Sequence, residues 1–168
     1  VTLGGNIISI EETETSKTGY IDASTKETYN FGYTVRSLDS RMVIPPDGFI
    51  LGTTAEQVNI PNRIAAKFEE NSSLGRIGLA THVTAGFIDP GFSGNITLEI
   101  KNLSNAPIML HKGMRIGQLS FDVLDRAPSR CYGSPELKSH YQHQVGVTPA
   151  TGDSRWTEVS DKGPQMPL

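Results

Sequence analysis

The sequence predicts an all-β fold, a barrel or jelly-roll-like sandwich that is followed by a C-terminal arm. Apolar and polar residues alternate over short segments, which is typical of half-buried strands. The clearest case lies between residues 95 and 101, where Ile96, Leu98 and Ile100 alternate with polar side chains. Turns rich in glycine and proline separate about nine or ten such segments, and helical periodicity is almost absent.

The predicted strands follow one another along the chain, and most end at a turn signal. In the first half they cover residues 3–11, 20–21, 42–44, 49–54, 57–60 and 63–70, with a mixed pattern at 29–38. The turn 45–48 (PPDG) predicts that 42–44 and 49–54 are partners in a hairpin. In the second half the strands cover residues 81–84, 96–100, 108–110 and 115–123.

One helical turn is predicted, over residues 72–77. Ser72 has the side chain of a helix cap, and Arg76, four residues later, would project from the same face. Backbone N–H groups and hydroxyls at such a turn, with an arginine one turn further on, suit the binding of a phosphate. The alternative is a capped turn with no ligand.

The chain divides at residue 124. Residues 1–124 are predicted to form one domain, since a chain of 168 residues is long enough to bury a continuous core. Residues 125–168 become polar and proline-containing, which predicts an arm that is partly flexible. Val1 already lies in a strand-like pattern and is not a methionine, so further residues are expected to precede it.

Composition excludes several classes of function. The formal net charge is −3, which argues against binding to nucleic acid through a general basic field. The single cysteine, Cys131, excludes an intrachain disulfide framework and a multi-cysteine zinc site, and it suits a cytoplasmic location. No apolar run approaches the roughly 18 residues of a membrane span. The four histidines lack the spacing of a metal site.

Two carboxylates lie in the most informative stretch of the chain. Glu99 is on the polar face of a predicted strand, where it is either a solvated residue or, beneath a cleft, a group that transfers protons. Asp89 precedes Pro90-Gly91 and is either a turn former or a functional carboxylate. From the residues alone, both alternatives stay open.

Several motifs together resemble the dCTP deaminase family of the dUTPase superfamily, and they look closest to its bifunctional dCTP deaminase/dUTPase members. These are residues 72–76 (SSLGR), 82–94 (HVTAGFIDPGFSG), 96–99 (ITLE) and 113–119 (GMRIGQL). In the arm, residues 132–134 (YGS) and 141–146 (YQHQVG) are also similar. The resemblance covers residues from about 41 to 150 and, more weakly, residues 1–10.

The resemblance implies a distorted β-barrel or jelly-roll-like dUTPase fold that assembles as a homotrimer, with active sites between subunits. It implies zinc-free hydrolytic deamination of dCTP, with Mg²⁺ bridging the phosphate oxygens of the nucleotide. It further implies feedback inhibition by dTTP, a place in the metabolism of dTTP precursors, and no nucleic acid or membrane as a partner.

The resemblance also implies roles for individual residues. Glu99 matches the catalytic glutamate, which would take a proton from water and deliver protons to N3 and the leaving ammonia. Ser72 and Arg76 match positions that orient the base and the water, and Arg76 would pair with Glu99. Asp89 matches the residue that faces the sugar 3′-hydroxyl. The remaining matched positions are expected to bind substrate: Ser73, Thr84, Ala85, Gly86, Gln118, Tyr132 and Gln144. Thr84 and Ala85 are expected to do so through their backbone atoms.

The segment from Thr84 to Asp89 looks more like the bifunctional members, in which Gly86 leaves room over the phosphates and Asp89 helps to activate a water at the α-phosphate. A deaminase that releases dUTP and a nucleotide-binding homologue of low activity are the alternatives. Asn71 and His140 stand where the family has cations, so weaker triphosphate binding, a shorter phosphate chain, a modified deoxycytidine nucleotide or compensation by Lys112 or Arg130 also stay open.

Overall fold

The computed structural model describes residues 1–10 and 33–151, and in this part of the chain it is almost entirely β structure. Its ten strands are β1 (Asn6–Ile10), β2 (Tyr33–Ser37), β3 (Arg41–Ile44), β4 (Phe49–Asn59), β5 (Ile64–Glu70), β6 (Leu79–Ala80), β7 (Phe87–Ile88), β8 (Ser93–Asn102), β9 (Ile108–His111) and β10 (Gly117–Val123). One short helix, α1 (Ser72–Gly75), and a 3-10 turn at Pro135–Leu137 are the only helical elements described. The predicted all-β class is confirmed, whereas the strand predicted at 20–21 lies outside the described residues.

The strands form three sheets around one core. The largest has the order β2-β1-β4-β8-β6, and the others have the orders β10-β5-β7 and β3-β9. The antiparallel pair β4–β8 is central, with Leu51 opposite Glu99. A register shift between Thr53 and Gln57 lets β4 continue through the bulge, so the two strands predicted at 49–54 and 57–60 are one strand.

The alternation along β8 is confirmed. Ile96, Leu98 and Ile100 are buried in the core with Leu3 and Leu110 from neighbouring strands. Because successive side chains of a strand point to opposite faces, this burial places the intervening residues of β8, Glu99 among them, on the outer face. No helix among residues 1–10 and 33–151 is long and apolar enough to cross a membrane.

The predicted hairpin between 42–44 and 49–54 is wrong. β3 pairs with β9, Met42 lying opposite Leu110, whereas β4 pairs with β1 and β8. The turn forms as predicted, since the Gly48 N–H donates to the Pro45 carbonyl at 2.9 Å. The chain nevertheless leaves one sheet at this turn and enters another, because Ile44 faces the common core from the small sheet.

Asn102, at the end of β8, stabilises the turn at which the chain passes from one sheet to the other. Its side chain is fully buried, and its Nδ2 donates to the carbonyls of Ile44, Pro45 and Ala106 at 3.0, 3.1 and 2.9 Å. Its Oδ1 accepts from the backbone N–H and the hydroxyl of Ser104 at 2.9 and 2.8 Å. These partners lie where β3 ends and in the turn that follows β8, so the Asn102 side chain joins the two segments.

We expect Asn102→Ala to lower the free energy of unfolding by about 2–4 kcal/mol, because it leaves several buried polar groups without partners. Urea denaturation measures the change. The matched control is Asn105→Ala in the same turn, where the side chain is exposed and makes no hydrogen bond within the described residues. That control should change stability by less than about 0.5 kcal/mol. Equal effects of the two variants would contradict the assigned role of Asn102.

Candidate active site

Glu99 lies where, among the described residues, one edge of β8 is left without a partner strand. On this edge β6 pairs with Lys101 and Asn102, and the C-terminal arm lies beside residues 93–97. Between them no strand in the described part of the chain pairs with β8, and the Val83 N–H of a loop donates to the Glu99 carbonyl at 3.2 Å. The half-buried Glu99 side chain therefore lies in a gap between the arm and the loop that follows β6.

That loop, residues 81–86, was predicted as a strand over 81–84, which is wrong. The N–H groups of Thr81 and His82 donate to Oε1 of Glu70 at 2.6 and 2.7 Å instead of entering a ladder. This contact turns the chain away from the sheet and brings Thr84 over β8, where its hydroxyl donates to Oε2 of Glu99 at 2.6 Å. The Thr84 hydroxyl is thus placed against one oxygen of the Glu99 carboxylate.

The loop ends at Ala85 and Gly86. The Gly86 carbonyl accepts from the Phe68 N–H at 2.8 Å, and the Gly86 N–H donates to the Thr84 carbonyl at 2.9 Å. A Cβ at residue 86 would lie 3.2 Å from the Phe68 carbonyl oxygen, so the close approach of the two backbones favours glycine. The backbone around Ala85 is exposed, as its predicted contact with substrate requires.

A helical turn was predicted over residues 72–77, and the structure confirms it as α1 with Arg76 directly after it. The capping residue, however, is Asn71 and not Ser72. Asn71 has an extended backbone (φ −75°, ψ 114°), and its Oδ1 accepts from the Ser73 N–H at 3.0 Å. Ser72 is the first helical residue, so its hydroxyl is free for another role. Ser72, Ser73 and Arg76 are all exposed.

The predicted pairing of Arg76 with Glu99 does not occur within one chain. The ion pairs recorded in the described part of the chain are Lys67–Asp122 and Lys101–Asp47, at 3.6 and 3.7 Å. Arg76 has no such partner there, and Glu99 is bonded to Thr84. Arg76 and Glu99 are therefore not joined by an ion pair within the described residues of one chain.

Asp89 and Tyr132 form a second group of predicted residues. The Tyr132 N–H donates to the Pro90 carbonyl at 2.9 Å, and the Tyr132 ring lies 5.7 Å from the Phe92 ring. Burial raises the pKa of the Asp89 carboxyl even though the side chain is partly exposed. Burial also raises the pKa of the Tyr132 phenol, and the negative charge of Asp89 adds to that effect. The two groups are thus electrostatically coupled.

The described part of the arm, residues 125–151, lies along β8. The N–H groups of His143, Gly146 and Thr148 donate to the Ser93 carbonyl, to Oδ1 of Asn95 and to Oγ1 of Thr97, at 2.7, 2.9 and 3.3 Å. Gln144 exchanges bonds with the Asn95 backbone, accepting at its carbonyl and donating from Nε2. The contact of Thr148 with Thr97 therefore brings the arm to within two residues of Glu99 on the same strand.

Gln144 and Gln118 are both predicted to contact phosphate, but they differ in burial and in the hydrogen bonds of their side chains. The Gln144 Oε1 is buried without a hydrogen-bond partner, and its Nε2 donates to the Asn95 carbonyl. Because an amide oxygen only accepts, a contact of Gln144 with a phosphate oxygen has to use an Nε2 N–H. Gln118 is exposed on β10, opposite Glu69 in the register of β5. Neither side chain forms a hydrogen bond with Glu99 within the described residues of one chain.

We expect Gly94→Ala to displace the arm from β8. Gly94 has φ +146°, and a Cβ there would lie 2.8 Å from the Gln144 carbonyl oxygen and 3.0 Å from its nitrogen. Limited trypsin digestion at Arg130 and Lys138 should therefore be faster in the variant than in the wild type. Gly75→Ala is the control, because nothing lies within 4 Å of its Cβ position. Unchanged digestion of Gly94→Ala would show that the arm does not depend on this contact.

Three residues that position the site were not predicted from the sequence: Glu70, His82 as a contact of Glu99, and Asn95. The Nδ1 of His82 is the acceptor for the Glu99 N–H at 3.5 Å, and its ring packs edge-on against Phe68. Asn95 is buried and also donates to the carbonyls of Thr54 and Glu56. The alternation gave no signal for Asn95, which shares the polar side of β8 with Glu99 and is buried by its hydrogen bonds to β4 and the arm.

The side chains of the site suit a metal ion that enters bound to its ligand better than one that is held by the protein. Within the described residues no group of three or more His, Cys, Asp or Glu side chains is placed to hold a metal ion. Mg²⁺ binds nucleotides through phosphate oxygens and retains several waters, so it needs no such group. The exposed carboxylate nearest to the arm tyrosine is Asp89.

Comparison with known proteins identifies the relatives of this chain. Residues 1–124 match the family model described as dCTP deaminase-like. A protein of Leifsonia xyli named "dCTP deaminase, dUMP-forming" is 52% identical over 110 residues, which are 66% of this chain and 55% of that protein. A protein of Thermobifida fusca with the same name is 52% identical over 121 residues, 72% of this chain and 62% of that protein. The chain thus spans little more than half the length of these curated relatives.

Among solved structures, the 2′-deoxycytidine 5′-triphosphate deaminase from Agrobacterium tumefaciens has a similar fold, with a TM-score of 0.55 and 22% sequence identity. The similarity covers 75% of this chain and 37% of that one. At this identity the comparison establishes the fold, and it confirms the architecture predicted from the sequence.

Proposed function

Because this chain belongs to the dCTP deaminase-like family, we propose that it deaminates dCTP hydrolytically and then cleaves the dUTP formed to dUMP and pyrophosphate. The observation that supports this most directly is the hydrogen bonding of the Glu99 carboxylate. Its carboxylate lies at an open strand edge with Oε2 bonded to Thr84, and its Oε1 has no partner within the described residues. Such an oxygen is available to accept a proton from water. The name of the curated relatives supports the dUMP-forming version of the reaction.

In the proposed deamination Glu99 acts twice. It first takes a proton from a water whose oxygen attacks C4 of the cytosine, and it passes that proton to N3. It then assists proton transfer to the amino group, which leaves as ammonia. The backbone of Thr84 and Ala85 orients the water and the exocyclic group, and their exposure at the tip of the loop supports this role. Holding the water against C4 supplies much of the rate enhancement.

Ser72, Ser73 and Arg76 of a neighbouring protomer complete the site in this proposal. Their exposure on α1, away from the Glu99 of their own chain, supports a homotrimer with sites between subunits. The Arg76 guanidinium would keep Glu99 ionised and orient it, while the serine hydroxyls hold the base and the phosphates. The proposal includes feedback inhibition by dTTP and action in the cytoplasm.

The arm and Asp89 are proposed to serve the sugar and the phosphates. Asp89 accepts from the 3′-hydroxyl and helps to activate the water that attacks the α-phosphate. Tyr132, Gln144 and Gln118 bind phosphate oxygens, and Gly86 leaves room above them. Mg²⁺ bound to the phosphates would neutralise their charge. Asn71 contributes an N-cap in place of a cation, so phosphate affinity depends on the remaining donors.

Incubation of the protein with dCTP and Mg²⁺, followed by anion-exchange chromatography and an ammonia assay, tests the proposal. Equal amounts of ammonia, dUMP and pyrophosphate are expected, and dUTP supplied directly should also give dUMP. Accumulation of dUTP, together with no cleavage of added dUTP, would identify the deaminase-only alternative. Nucleotide binding by calorimetry without any product would instead identify a nucleotide-binding homologue of low activity, for which the loss of a cation at Asn71 is the motivating observation.

A parallel incubation with dCMP tests the length of the phosphate chain. Turnover of dCMP at least as fast as that of dCTP would overturn the triphosphate assignment. Slow turnover of dCMP would support it, because the arm residues then contribute binding to the phosphates.

A further inference from the structure

The side chain of Thr84 makes a specific contact with Glu99 that the backbone role assigned to Thr84 does not use. Its hydroxyl is the recorded hydrogen-bond partner of the Glu99 carboxylate within the described residues, and it occupies Oε2 alone. The two residues are 15 positions apart in sequence, so the fold and not local geometry brings them together. The two oxygens of Glu99 are therefore chemically different in the folded protein.

The position of Thr84 is fixed by contacts on both sides of it. On one side, Oε1 of Glu70 accepts from the N–H groups of Thr81 and His82 at 2.6 and 2.7 Å. On the other side, the Gly86 carbonyl accepts from the Phe68 N–H at 2.8 Å. Glu70 and Phe68 both belong to β5, so this strand holds both ends of the loop.

The centre of the loop is bonded to β8 itself. The Val83 N–H donates to the Glu99 carbonyl at 3.2 Å, which fixes the residue next to Thr84 against the backbone of Glu99. The hydroxyl of Thr84 is consequently presented to the carboxylate by a backbone that three other contacts determine. A donor that is held in advance does not have to reorganise when the carboxylate changes its protonation.

A carboxylate that transfers protons benefits from such a donor. With Oε2 committed to Thr84, the plane of the carboxylate is set and the proton-accepting lone pairs of Oε1 point in one direction. A freely rotating glutamate would present either oxygen in many orientations, and each would be productive for only a fraction of the time.

We propose that Thr84 is a positioning residue, whose hydroxyl holds Oε2 of Glu99 so that Oε1 alone exchanges protons with water and with the cytosine. Oε1 accepts the proton of the attacking water and returns it to N3, while the proton of the Thr84 hydroxyl stays on its own oxygen. The inference rests on the proposed deamination and adds to it the oxygen of Glu99 that carries the proton.

Thr84→Val and Thr84→Ser test this assignment in the full chain. Valine removes the hydroxyl and keeps the branched shape, and we expect kcat for ammonia release from dCTP to fall roughly ten- to a hundredfold, the equivalent of one hydrogen bond to a charged group. The KM for dCTP should change by less than about threefold, because the lost contact orients the base and does not bind substrate. Serine restores the donor, so kcat of Thr84→Ser should lie close to that of the wild type.

Thr2→Val is the matched control. The Thr2 hydroxyl donates to Oε1 of Glu56 at 2.9 Å, so this substitution also deletes a threonine–glutamate hydrogen bond, but one far along β4 from Glu99. Its kcat should equal that of the wild type. If Thr84→Val kept a wild-type kcat, or if Thr84→Ser were as slow as Thr84→Val, the hydroxyl would not be the positioning group.

A measurement without turnover separates this inference from the proposed function. In protein labelled with ¹³C at the glutamate side-chain carboxyls, the Glu99 resonance is assigned as the one missing in Glu99→Gln. Thr84→Val should shift that resonance, and Thr84→Ser should return it towards its original position. An unmoved resonance overturns the positioning role even if the enzyme is active. A wild-type protein that does not turn over dCTP overturns the proposed function, whereas the resonance still decides whether Thr84 holds Glu99.

Discussion

Glu99→Gln should lower kcat for ammonia release from dCTP by about 10²–10⁴-fold, the usual contribution of a positioned proton-transfer group. Glutamine keeps the size of the side chain, and its carbonyl oxygen can still accept from the Thr84 hydroxyl, so the loop over β8 should be retained. The amide, however, cannot take a proton from water. Binding of dCTP measured by calorimetry should therefore persist while ammonia release, followed in a coupled assay, is lost.

The matched control for this variant is Glu56→Gln on β4. Glu56 also accepts from a threonine hydroxyl, that of Thr2 at 2.9 Å, and it lies at the bulge of the neighbouring strand β4, beside Asn95 and not opposite Glu99. The two substitutions change the net charge equally, so an effect of charge alone would appear in both. Ammonia release by Glu99→Gln at a rate near that of Glu56→Gln would show that Glu99 is not the base.

Where local pattern decides the outcome, sequence analysis predicted the structure well. The alternation at Ile96, Leu98 and Ile100 assigned β8, put its apolar face in the core and left Glu99 on the other face, as observed. Period-two alternation carries this information because one residue of slippage would expose the entire apolar face. The short helical turn was equally local, and only its cap was assigned to the wrong residue.

The choice of cap shows the limit of local reasoning. Asn71 and Ser72 are both good capping residues, and they are adjacent, so the sequence alone does not choose between them. β5 ends at Glu70 as predicted, and the structure selects Asn71 because its extended backbone lets its side chain accept from the Ser73 N–H. As a result Asn71, which replaces a cation of the family, has its side-chain oxygen engaged in the cap.

Contacts between distant segments were not predictable. The Pro45–Gly48 turn fixes a reversal of the chain, but the pairing of β3 with β9 depends on burying Ile44 and Leu110 together. Residues 81–84 were predicted as a strand, but they leave the sheet because Glu70, eleven residues before Thr81, binds the N–H groups of Thr81 and His82. Side-chain contacts over such separations are set by the fold.

The proposed division of the site between chains also lies beyond local sequence patterns. The motif that contains Ser72 and Arg76 and the strand that contains Glu99 were joined into one site by resemblance. Within a single chain the described residues place Arg76 on an exposed turn without contact to Glu99. Periodicity reports which face of an element is buried, but it does not report which protomer supplies the partner.

Asp89→Asn should separate the two reactions. If Asp89 activates the water at the α-phosphate, its amide analogue should cleave dUTP at least about 10²-fold more slowly, as expected when a group that activates a nucleophile is removed. Deamination depends on Glu99, so dCTP should now be converted to dUTP that accumulates. Chromatography of the products from dCTP, and from dUTP supplied directly, measures both steps in the same samples.

The control for this variant is Asp122→Asn, which removes an exposed carboxylate whose partner is Lys67 at 3.6 Å. Its ratio of dUMP to dUTP should remain that of the wild type. Wild-type formation of dUMP by Asp89→Asn would contradict the proposed role of Asp89 and leave it a contact of the sugar.

The pH dependence of dUTP cleavage tests the proposed role of Asp89 independently. Burial raises the pKa of its carboxyl above that of a solvated aspartate, and only the ionised form can accept a proton from water. Cleavage of dUTP should therefore be present above that raised pKa and be lost as the pH falls through it, at a higher pH than for a solvated aspartate. In Asp89→Asn the residual cleavage should lack this acidic limb, because the titrating group is gone. An acidic limb that is unchanged in the variant would assign the titration to another group.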